Sequence, residues 1–478
     1  MKNRLDPLVR ALRPAAAVAI MSMAVLGTLA HAASKTYTVN ADFSLGNLSG
    51  LNFTAVANQL QLNSVGTTFP VMWVANSGED TITRFDTVAN REVARYRTWF
   101  GPSGQAGHIN HPGDAYSGPA PSRTAVDLEG NAYVLNRFFS GGRAIPVLIK
   151  ILAEGFVDRN SNGVVDTSTD TNNDGVIQVG EIKPMADLNN NGIIDPNEIT
   201  DERIAWVREV GSVNGLGRAL CVGTDGNLWV GMFDARTFYK VRASDGATIA
   251  GPVSTTPTSG QPNAGAPTPY GCLIDSSGTL WMASLGSLLG KISNTQSDAG
   301  PWAVASYNSG NFNYGIALGN GKVYTGYENY QFDPTTNTFS GIPNMTVDSR
   351  GIVVDGGGNI IAGGSTIRKV SPAGALLWQA PLQAGSAGFA VGIQVDSNND
   401  VWQMGFQQAG RMQKYRGTDG APLGVFPVGD HPYTYSDAAG FSARNITSPT
   451  GTWTVTFDGG AANTPWGKVS WTDLVPAG

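Results

Sequence analysis

Two twelve-residue stretches of this 478-residue sequence place oxygen-bearing groups at alternate positions, inside a polar segment that spans residues 154–203. At positions 1, 3, 5, 7, 9 and 12 the first stretch has Asp170, Asn172, Asp174, Val176, Gln178 and Glu181. At the same positions the second has Asp187, Asn189, Asn191, Ile193, Asp195 and Glu198. In such a loop the alternate side chains and one backbone carbonyl point to a common centre, a glycine at position 6 allows the sharp turn, and the final glutamate binds through both oxygens. The pattern predicts two Ca²⁺ sites.

A third stretch repeats the pattern only in part, with Asp158, Asn160, Asn162 and Asp166. Its twelfth residue is Thr169, which has no carboxylate, so the spacing offers Asp170 as a shared replacement. The three loops begin 12 and 17 residues apart, which leaves no room for paired long helices. The segment therefore resembles dockerin or thrombospondin type 3 calcium repeats rather than a paired EF-hand sensor.

The sequence leaves two possible roles for calcium in this segment. Either the ion neutralises and orders an acidic insertion that would otherwise stay disordered, or it shapes a protruding segment that binds a partner, such as a protein or a glycan at the cell surface. Extracellular modules bind calcium with dissociation constants on the order of 10⁻⁴ to 10⁻³ M, which suffices where the ion is abundant.

Other candidate residues give weaker signals. A Gly- and Pro-rich loop carries His108, His111 and Asp114, which either hold a transition metal or face solvent as ordinary polar residues. A catalytic centre would require convergence among a wider set, which is His108, His111, Asp114, Asp234, Glu328 and His431. The sequence shows no Ser-His-Asp order and no phosphate loop, and it has four histidines in all. We therefore assign no catalytic residue.

The elements that carry these loops repeat along the chain. The repeating unit has an alternating apolar strand, a turn built on Asp and Gly, an aromatic-rich strand and two further short strands. Six repeats begin at Ser122, Arg218, Tyr270, Tyr314, Arg350 and Val391. Four antiparallel strands recurring at about 40 to 55 residues are typical of a propeller blade, and the calcium-loop segment interrupts one of them.

A seventh blade is divided between the two ends of the chain. Residues 71–99 match the second to fourth strands of a repeat, and residues 432–440 supply the missing innermost strand. This arrangement removes exposed sheet edges. The sequence thus predicts an all-β, seven-bladed β-propeller closed by a C-terminal strand, with a calcium-loop insert in blade two and a small β flank formed by the termini.

The predicted boundaries follow from these patterns. Residues 1–32, with a basic start, an apolar run and a terminal Ala-His-Ala, form a signal peptide; a membrane anchor is the alternative. Residues 33–66 form an N-terminal β flank, 67–440 the propeller, 154–203 its insert, and 441–478 a C-terminal β flank. We expect the flanks to pair with each other or the chain to continue beyond Gly478. The mature protein is expected to be secreted, surface-attached or periplasmic, without a membrane span.

The net charge, the two cysteines and the aromatic residues give further indications about partners and structure. A formal net charge of −6 with no basic face argues against a nucleic-acid partner. Cys221 and Cys272 lie in equivalent strands of adjacent repeats, so they form a disulfide or are two small buried side chains. Two aromatic groups line a sugar-binding surface or belong to the core between blades, namely Tyr324, Tyr327, Tyr330 and Phe332, and Tyr433 with Tyr435.

The repeats resemble those of exported bacterial propellers related to streptogramin B lyase (virginiamycin B lyase) and the NHL-repeat proteins. The shared feature is the run x-G-I-x-V-D-x-x-G-N-x-W, visible at residues 350–360 and 218–229. The resemblance implies a propeller fold, and implies a metal and a general base held by His and Glu at the ends of the second strands. Those strand ends here are Ala75-Asn76, Leu135-Asn136, Gly231-Met232, Ala283-Ser284, Thr325-Gly326, Ala362-Gly363 and Met404-Gly405.

Because no such His or Glu occurs there, we expect a non-catalytic, exported, calcium-binding propeller that presents a binding or structural surface. The alternative is a lyase or hydrolase that acts on a cyclic peptide or polysaccharide at the propeller funnel.

Overall fold

A computed structural model describes residues 34–49, 51–53, 57–62, 69–102, 116, 118–139, 145–346, 348–385, 390–406, 409–440, 452–459 and 468–470. The predicted signal peptide and the candidate residues His108, His111 and Asp114 lie outside these ranges. The chain divides into two compact units, residues 1–63 with 449–478, and residues 64–448. In the described ranges the protein is all-β, with one short helix, α1 (Asn40–Phe43), and a 3₁₀ turn (Val179–Glu181).

The smaller unit joins the two ends of the chain. Strand β1 (Asn47–Ser49) pairs antiparallel with β32 (Thr452–Thr454), and β2 (Leu51–Asn52) pairs with β3 (Gln61–Leu62). Trp453 packs edge-on against Phe43, and its indole N–H donates to the Phe43 carbonyl oxygen at 3.0 Å.

The larger unit is a series of antiparallel sheets in which most neighbouring strands are consecutive in sequence. The first sheet consists of β4 (Val71–Asn76), β5 (Thr81–Asp86) and β6 (Arg91–Arg97). The short strand β7 (Gly101–Pro102) follows, and then the second sheet, β8 (Pro121–Val126), β9 (Ala132–Asn136), β10 (Val147–Ile151) and β12 (Ile204–Glu209). Strand β11 (Ile193–Ile194) lies between β10 and β12 in sequence and pairs with β7.

Four further sheets complete the unit. The third contains β13 (Gly217–Val222), β14 (Leu228–Met232), β15 (Thr237–Val241) and β16 (Thr248–Ser254). The next contains β17 (Gly271–Ile274), β18 (Leu280–Ala283), β19 (Gly286–Ile292), β20 (Val304–Gly319), β21 (Lys322–Tyr327), β22 (Tyr330–Asp333) and β23 (Thr338–Gly341). The last two contain β24 (Gly351–Val354), β25 (Ile360–Gly363), β26 (Thr366–Val370) and β27 (Leu376–Pro381), and then β28 (Ala390–Val395), β29 (Val401–Gly405), β30 (Arg411–Tyr415) and β31 (Pro422–Pro427).

The seven-stranded sheet spans two of the predicted repeats. The first half of β20 pairs with β19, and its second half pairs with β21. One 16-residue strand therefore serves as the outer strand of one repeat and the inner strand of the next.

The recurring Asp-Gly turn stabilises the repeats from within. In the turn after β24, Asp355 accepts the backbone N–H groups of Gly357 and Asn359 at 2.8 Å, and Gly358 has a φ of +78°. Lys369, on the third strand of the same sheet, reaches this carboxylate at 2.6 Å. The same pairing recurs between Lys240 and Asp225, and between Lys414 and Asp396.

The glycine of the x-G-I run is required by close packing of the innermost strands. A Cβ at Gly392 would overlap the carbonyl oxygen of Thr434, and one at Gly351 would lie 2.5 Å from the backbone nitrogen of Ile393. At Gly271 the nearest atom would be 3.6 Å away, an ordinary contact. At Gly392 and Gly351, but not at Gly271, the first strand therefore approaches its neighbour without room for a side chain.

The segment predicted to be the innermost strand of the divided blade runs beside β4. The Tyr433 N–H donates to the Ala75 carbonyl oxygen, and the Trp73 N–H donates to that of Ala438, both at 2.8 Å. The N–H of Ala75 donates instead to the Thr434 hydroxyl, also at 2.8 Å. Because this side chain takes a backbone position in the ladder, the segment has a single β-bridge, from Pro432 to Asn76, rather than a regular strand.

The cysteine alternative is resolved in favour of pairing. Cys221 on β13 and Cys272 on β17 form a disulfide with a Cα–Cα distance of 5.8 Å, which links the inner strands of adjacent sheets. Across the described ranges, no helix has the length and apolar character needed to cross a membrane.

Candidate functional site

Counted along the chain, the calcium-type loops begin at Asp158 (first loop), Asp170 (second loop) and Asp187 (third loop). The second loop adopts the turn that its sequence predicts. The Asp170 carboxylate accepts the N–H groups of Asp174 at 3.2 Å and Gly175 at 2.9 Å, and Gly175 has a φ of +81°. Glu181 accepts the N–H of Thr171 at 2.8 Å with one oxygen and that of Gln178 at 2.9 Å with the other. Hydrogen bonds from Thr171 and Gln178 lower the pKa of Glu181 to about 2, so this carboxylate is ionised at neutral pH.

The third loop repeats this arrangement. Asp187 accepts the N–H groups of Asn191 at 3.0 Å and Gly192 at 2.8 Å. Glu198 accepts the N–H of Asn189 at 3.0 Å and that of Asp195 at 2.7 Å, one on each carboxylate oxygen. The two complete sequence patterns therefore fold into the same hydrogen-bonded turn.

The first loop obtains its closing carboxylate from a residue that spacing did not identify. Glu202 accepts the N–H of Arg159 at 2.9 Å and that of Asp166 at 2.8 Å, and donates its own N–H to the Asp166 carbonyl oxygen at 3.0 Å. Residues 171, 178 and 181 make the equivalent three bonds in the second loop. Asp170, the replacement that the spacing offered, accepts N–H groups within its own loop. Glu202 thus stands in the first loop where Glu181 stands in the second.

The loop segment packs against the outer strand of the first sheet. Glu92 on β6 receives the Ile177 N–H at 3.1 Å, and the Asp170 N–H donates to the Val93 carbonyl oxygen at 3.3 Å. Glu92 is fully buried, and although burial raises its pKa, Arg95 contacts both of its oxygens at 2.6 and 2.8 Å. The insert in the second sheet is therefore anchored on the first.

No group of three or more His, Cys, Asp or Glu side chains converges at metal-binding distance in the part of the chain that the structure describes. Within that part, His431 hydrogen-bonds Asp430 at 2.8 Å, and no hydrogen bond or ion pair joins any two of Asp234, Glu328 and His431. In the aromatic groups predicted for a sugar surface or for the core, Tyr324, Phe332, Tyr433 and Tyr435 are buried.

A second site lies where the first strands of several sheets begin and the second strands end. We call it the arginine–tyrosine cluster, and it consists of Arg123, Arg137, Arg218, Tyr270, Tyr314, Tyr433 and Tyr435. All seven side chains are at least nine-tenths buried, with Arg218 the most exposed at 8%. Partly exposed rings, those of Phe139, Phe233 and Phe406, surround it.

The guanidinium groups of the cluster lie against aromatic rings. Arg123 lies 3.5 Å from the Tyr435 ring centroid and donates two bonds to the Tyr270 carbonyl oxygen, at 2.9 and 2.5 Å. Arg218 lies 5.1 Å from the Tyr270 ring and 5.3 Å from that of Phe139. The distances fit cation–π interactions.

Burial and like charge shape the electrostatics of the cluster. Burial, together with the positive charge of Arg218, lowers the pKa of Arg123 to about 9 and that of Arg137 to about 10. Burial alone would raise the pKa of Tyr433, but Arg137 and Arg218 outweigh it and lower the value to about 8. The hydroxyl of Tyr433 hydrogen-bonds those of Tyr270, at 3.1 Å, and Tyr314. The cluster is therefore a buried and strongly positive site.

Sequence reasoning did not identify this cluster, although a signal is present. Arg218 and Arg350 are the first residues of their repeats, Arg123 is the second residue of its repeat, and Arg137 directly follows the end of a second strand. Arginines that recur near the start of the first strands indicate a charged cluster where these strands begin.

No protein-family model matches the chain, and no curated protein matches it. In structure the chain is similar to virginiamycin B lyase from Staphylococcus aureus, at 13% identity over 71% of this chain and 92% of that one, with a TM-score of 0.45. It is also similar to a streptogramin B lyase, at 14% identity, 76% and 95% coverage and a TM-score of 0.44. A protein from Bacteroides caccae is similar at 9% identity, 77% and 99% coverage and a TM-score of 0.37. The predicted resemblance to lyase-like β-propellers is thus confirmed, and it carries no statement about activity.

Proposed function

We propose that this protein is an exported, calcium-stabilised, seven-bladed β-propeller that acts as a binding or structural surface module rather than as an enzyme. The observation that carries the proposal is the common hydrogen-bonded turn of the three loops, in which a glutamate accepts N–H groups with both carboxylate oxygens. Ca²⁺-binding loops place acidic and amide residues at the same positions around a turn with glycine at position 6.

In this proposal the first sheet and the segment from Pro432 to Gly440 form one blade, and the seven-stranded sheet contributes two. The four four-stranded sheets contribute one blade each, which gives seven blades in all. The hydrogen bonds of Tyr433 and Ala438 to β4 support closure by the C-terminal segment.

The calcium ligands are those of the sequence pattern, with one addition. Each of the two complete loops binds one ion, and Glu202 takes the twelfth position of the first loop. The buried carboxylates of Glu198 and Glu202, 2% and 1% exposed, support this assignment, because buried charges need an opposite charge or a metal.

The non-catalytic role is supported by the chemistry of the arginine–tyrosine cluster. Its ionisable groups are guanidinium and phenol groups, which bind and orient ligands, whereas the lyase resemblance implied His and Glu. Export rests on the predicted signal peptide, and a protein or glycan at the cell surface is the expected partner.

Thermal unfolding with and without Ca²⁺ tests the proposal. We expect the melting temperature to rise with added Ca²⁺ and to fall with a chelator, because an ion that binds only the folded state stabilises it. The variants Glu181→Gln and Glu198→Gln should lose most of this response, and Glu202→Gln should lose the part that belongs to the first loop.

Glu154→Gln is the matched control, since Glu154 is exposed and contacts arginines rather than a loop. It should respond to Ca²⁺ as the unmodified protein does. A melting curve of the unmodified protein that is the same in Ca²⁺ and in chelator would overturn the calcium assignment.

A further inference from the structure

We propose that the arginine–tyrosine cluster binds an anionic ligand, with a carboxylate, sulfate or phosphate group held at Arg218. This inference does not depend on the calcium proposal, because it concerns different residues and needs no metal.

Arg218 is a buried charged donor. Arg218 is only 8% exposed, yet its side chain forms no hydrogen bond or ion pair with any residue that the structure describes, and its Nε is buried without a partner. A buried donor without an acceptor is costly, and a charged one more so. A guanidinium presents donors that match an oxyanion in pairs, so such a ligand would satisfy it.

The arginine–tyrosine cluster carries several positive charges close together. Arg123 donates to the carbonyl oxygens of Tyr270 and Ser122, and it has no carboxylate partner among the described residues. The charge of Arg218 lowers the pKa of both Arg123 and Arg137, so the three groups lie within mutual electrostatic range. Their positive charge favours an anion beside Arg218.

A ligand would reach Arg218 from its solvent side. Phe139 and Phe233 contact Arg218 with rings that are partly exposed, and Tyr116, half exposed, contacts Arg137 and Tyr433. The solvent side of Arg218 is therefore lined by aromatic rings, which suit an anionic group carried on a sugar or another ring.

Tyr433 is the internal alternative to a bound anion, and it also provides the readout. Its pKa of about 8 means that it is mostly protonated at neutral pH and does not balance the arginines there. The ionisable groups that face it are Arg123, Arg137, Arg218, Tyr116, Tyr270 and Tyr314, with His431 and Tyr435 on its own segment. An anion bound at Arg218 should disfavour the phenolate and raise this pKa.

The test follows tyrosinate absorbance against pH in sodium sulfate, sodium phosphate or sodium acetate, with sodium chloride at equal ionic strength as the screening control. Tyr433→Phe identifies the titration that belongs to Tyr433. We expect at least one oxyanion to raise the pKa of Tyr433 by on the order of one unit. The same pKa in all four salts overturns the proposal.

Binding of the active anion is then measured by calorimetry in two variants. Arg218→Gln should weaken binding about tenfold or more, as expected for loss of a charged hydrogen-bond donor. Arg242→Gln, on the same sheet but exposed and paired with Asp245, should bind as the unmodified protein does. Equal affinity in Arg218→Gln overturns the assignment, and if that variant does not fold, the absorbance titration of the unmodified protein decides.

Discussion

At the scale of single residues, the Asp turn that recurs in most of the repeats has a structural rather than a catalytic explanation. The Asp of the turn after the first strand accepts backbone N–H groups, and in three sheets a lysine from the third strand pairs with it. Asp355 and Lys369 are an enclosed example, with side chains 2% and 8% exposed. A buried pair of this kind makes each member dependent on the other.

Asp355→Asn should lower the free energy of unfolding by roughly 3 kcal/mol, because it leaves Lys369 buried without its carboxylate. Urea unfolding at neutral pH measures the change. Asp419→Asn is the control, since Asp419 pairs with Arg416 on the surface and its loss should have little effect. Similar losses in the two variants would contradict the explanation.

The same pair gives a pH dependence with a definite sign. Burial would raise the pKa of Asp355, but hydrogen bonds from Lys369 and Asn359 outweigh it, so the pKa is lowered in the folded state. A group of this kind stabilises the fold above the ordinary aspartate pKa, about 4, and its contribution is lost as the pH falls through the lower folded value. The unmodified protein should therefore lose more stability on acidification than Asp355→Asn, as unfolding across this pH range would measure.

At the scale of elements, close packing between neighbouring inner strands restricts which residues these strands can contain. The glycines of the x-G-I run lie where neighbouring inner strands approach most closely, and the closing segment approaches Gly392 in the same way. The disulfide between Cys221 and Cys272 adds a covalent link between two of these strands. The close approach explains why a glycine, rather than another small residue, occurs there.

Gly392→Ala should destabilise the protein by about 3 kcal/mol, because its Cβ would overlap the Thr434 carbonyl oxygen and displace the closing segment. Gly271→Ala, at the matching position of another repeat, has space for the methyl group and should be nearly neutral. Denaturant unfolding of both variants measures the contrast. Equal effects would show that crowding is not the reason for the glycine.

At the scale of the larger unit, the fold depends on a contact between residues far apart in sequence. The segment after Gly429 contributes buried Tyr433, Tyr435, Ala438 and Ala439, and it provides the backbone partners of β4. Without it, β4 would present an unpaired edge, which promotes aggregation.

A chain ended after Gly429 should therefore lose its cooperative thermal transition and aggregate. A chain ended after Ser448, which keeps all of residues 64–448, should retain the transition of the larger unit. Differential scanning calorimetry with light scattering distinguishes the two outcomes. A normal transition in the shorter chain would mean that the closing segment is dispensable.

Local pattern alone determined the all-β class, the strand and turn positions, and the turns of the two complete calcium-type loops. These features depend on hydrophobic alternation, on glycine at positive φ and on spacing within twelve residues, all of which are local. The tertiary structure decided what depends on distant residues. Glu202 meets a loop that begins 44 residues earlier, Thr434 takes a backbone position beside β4, and Arg218 lies within electrostatic range of Arg123 and Arg137. No spacing rule encodes such encounters, because the packing of whole sheets brings these residues together.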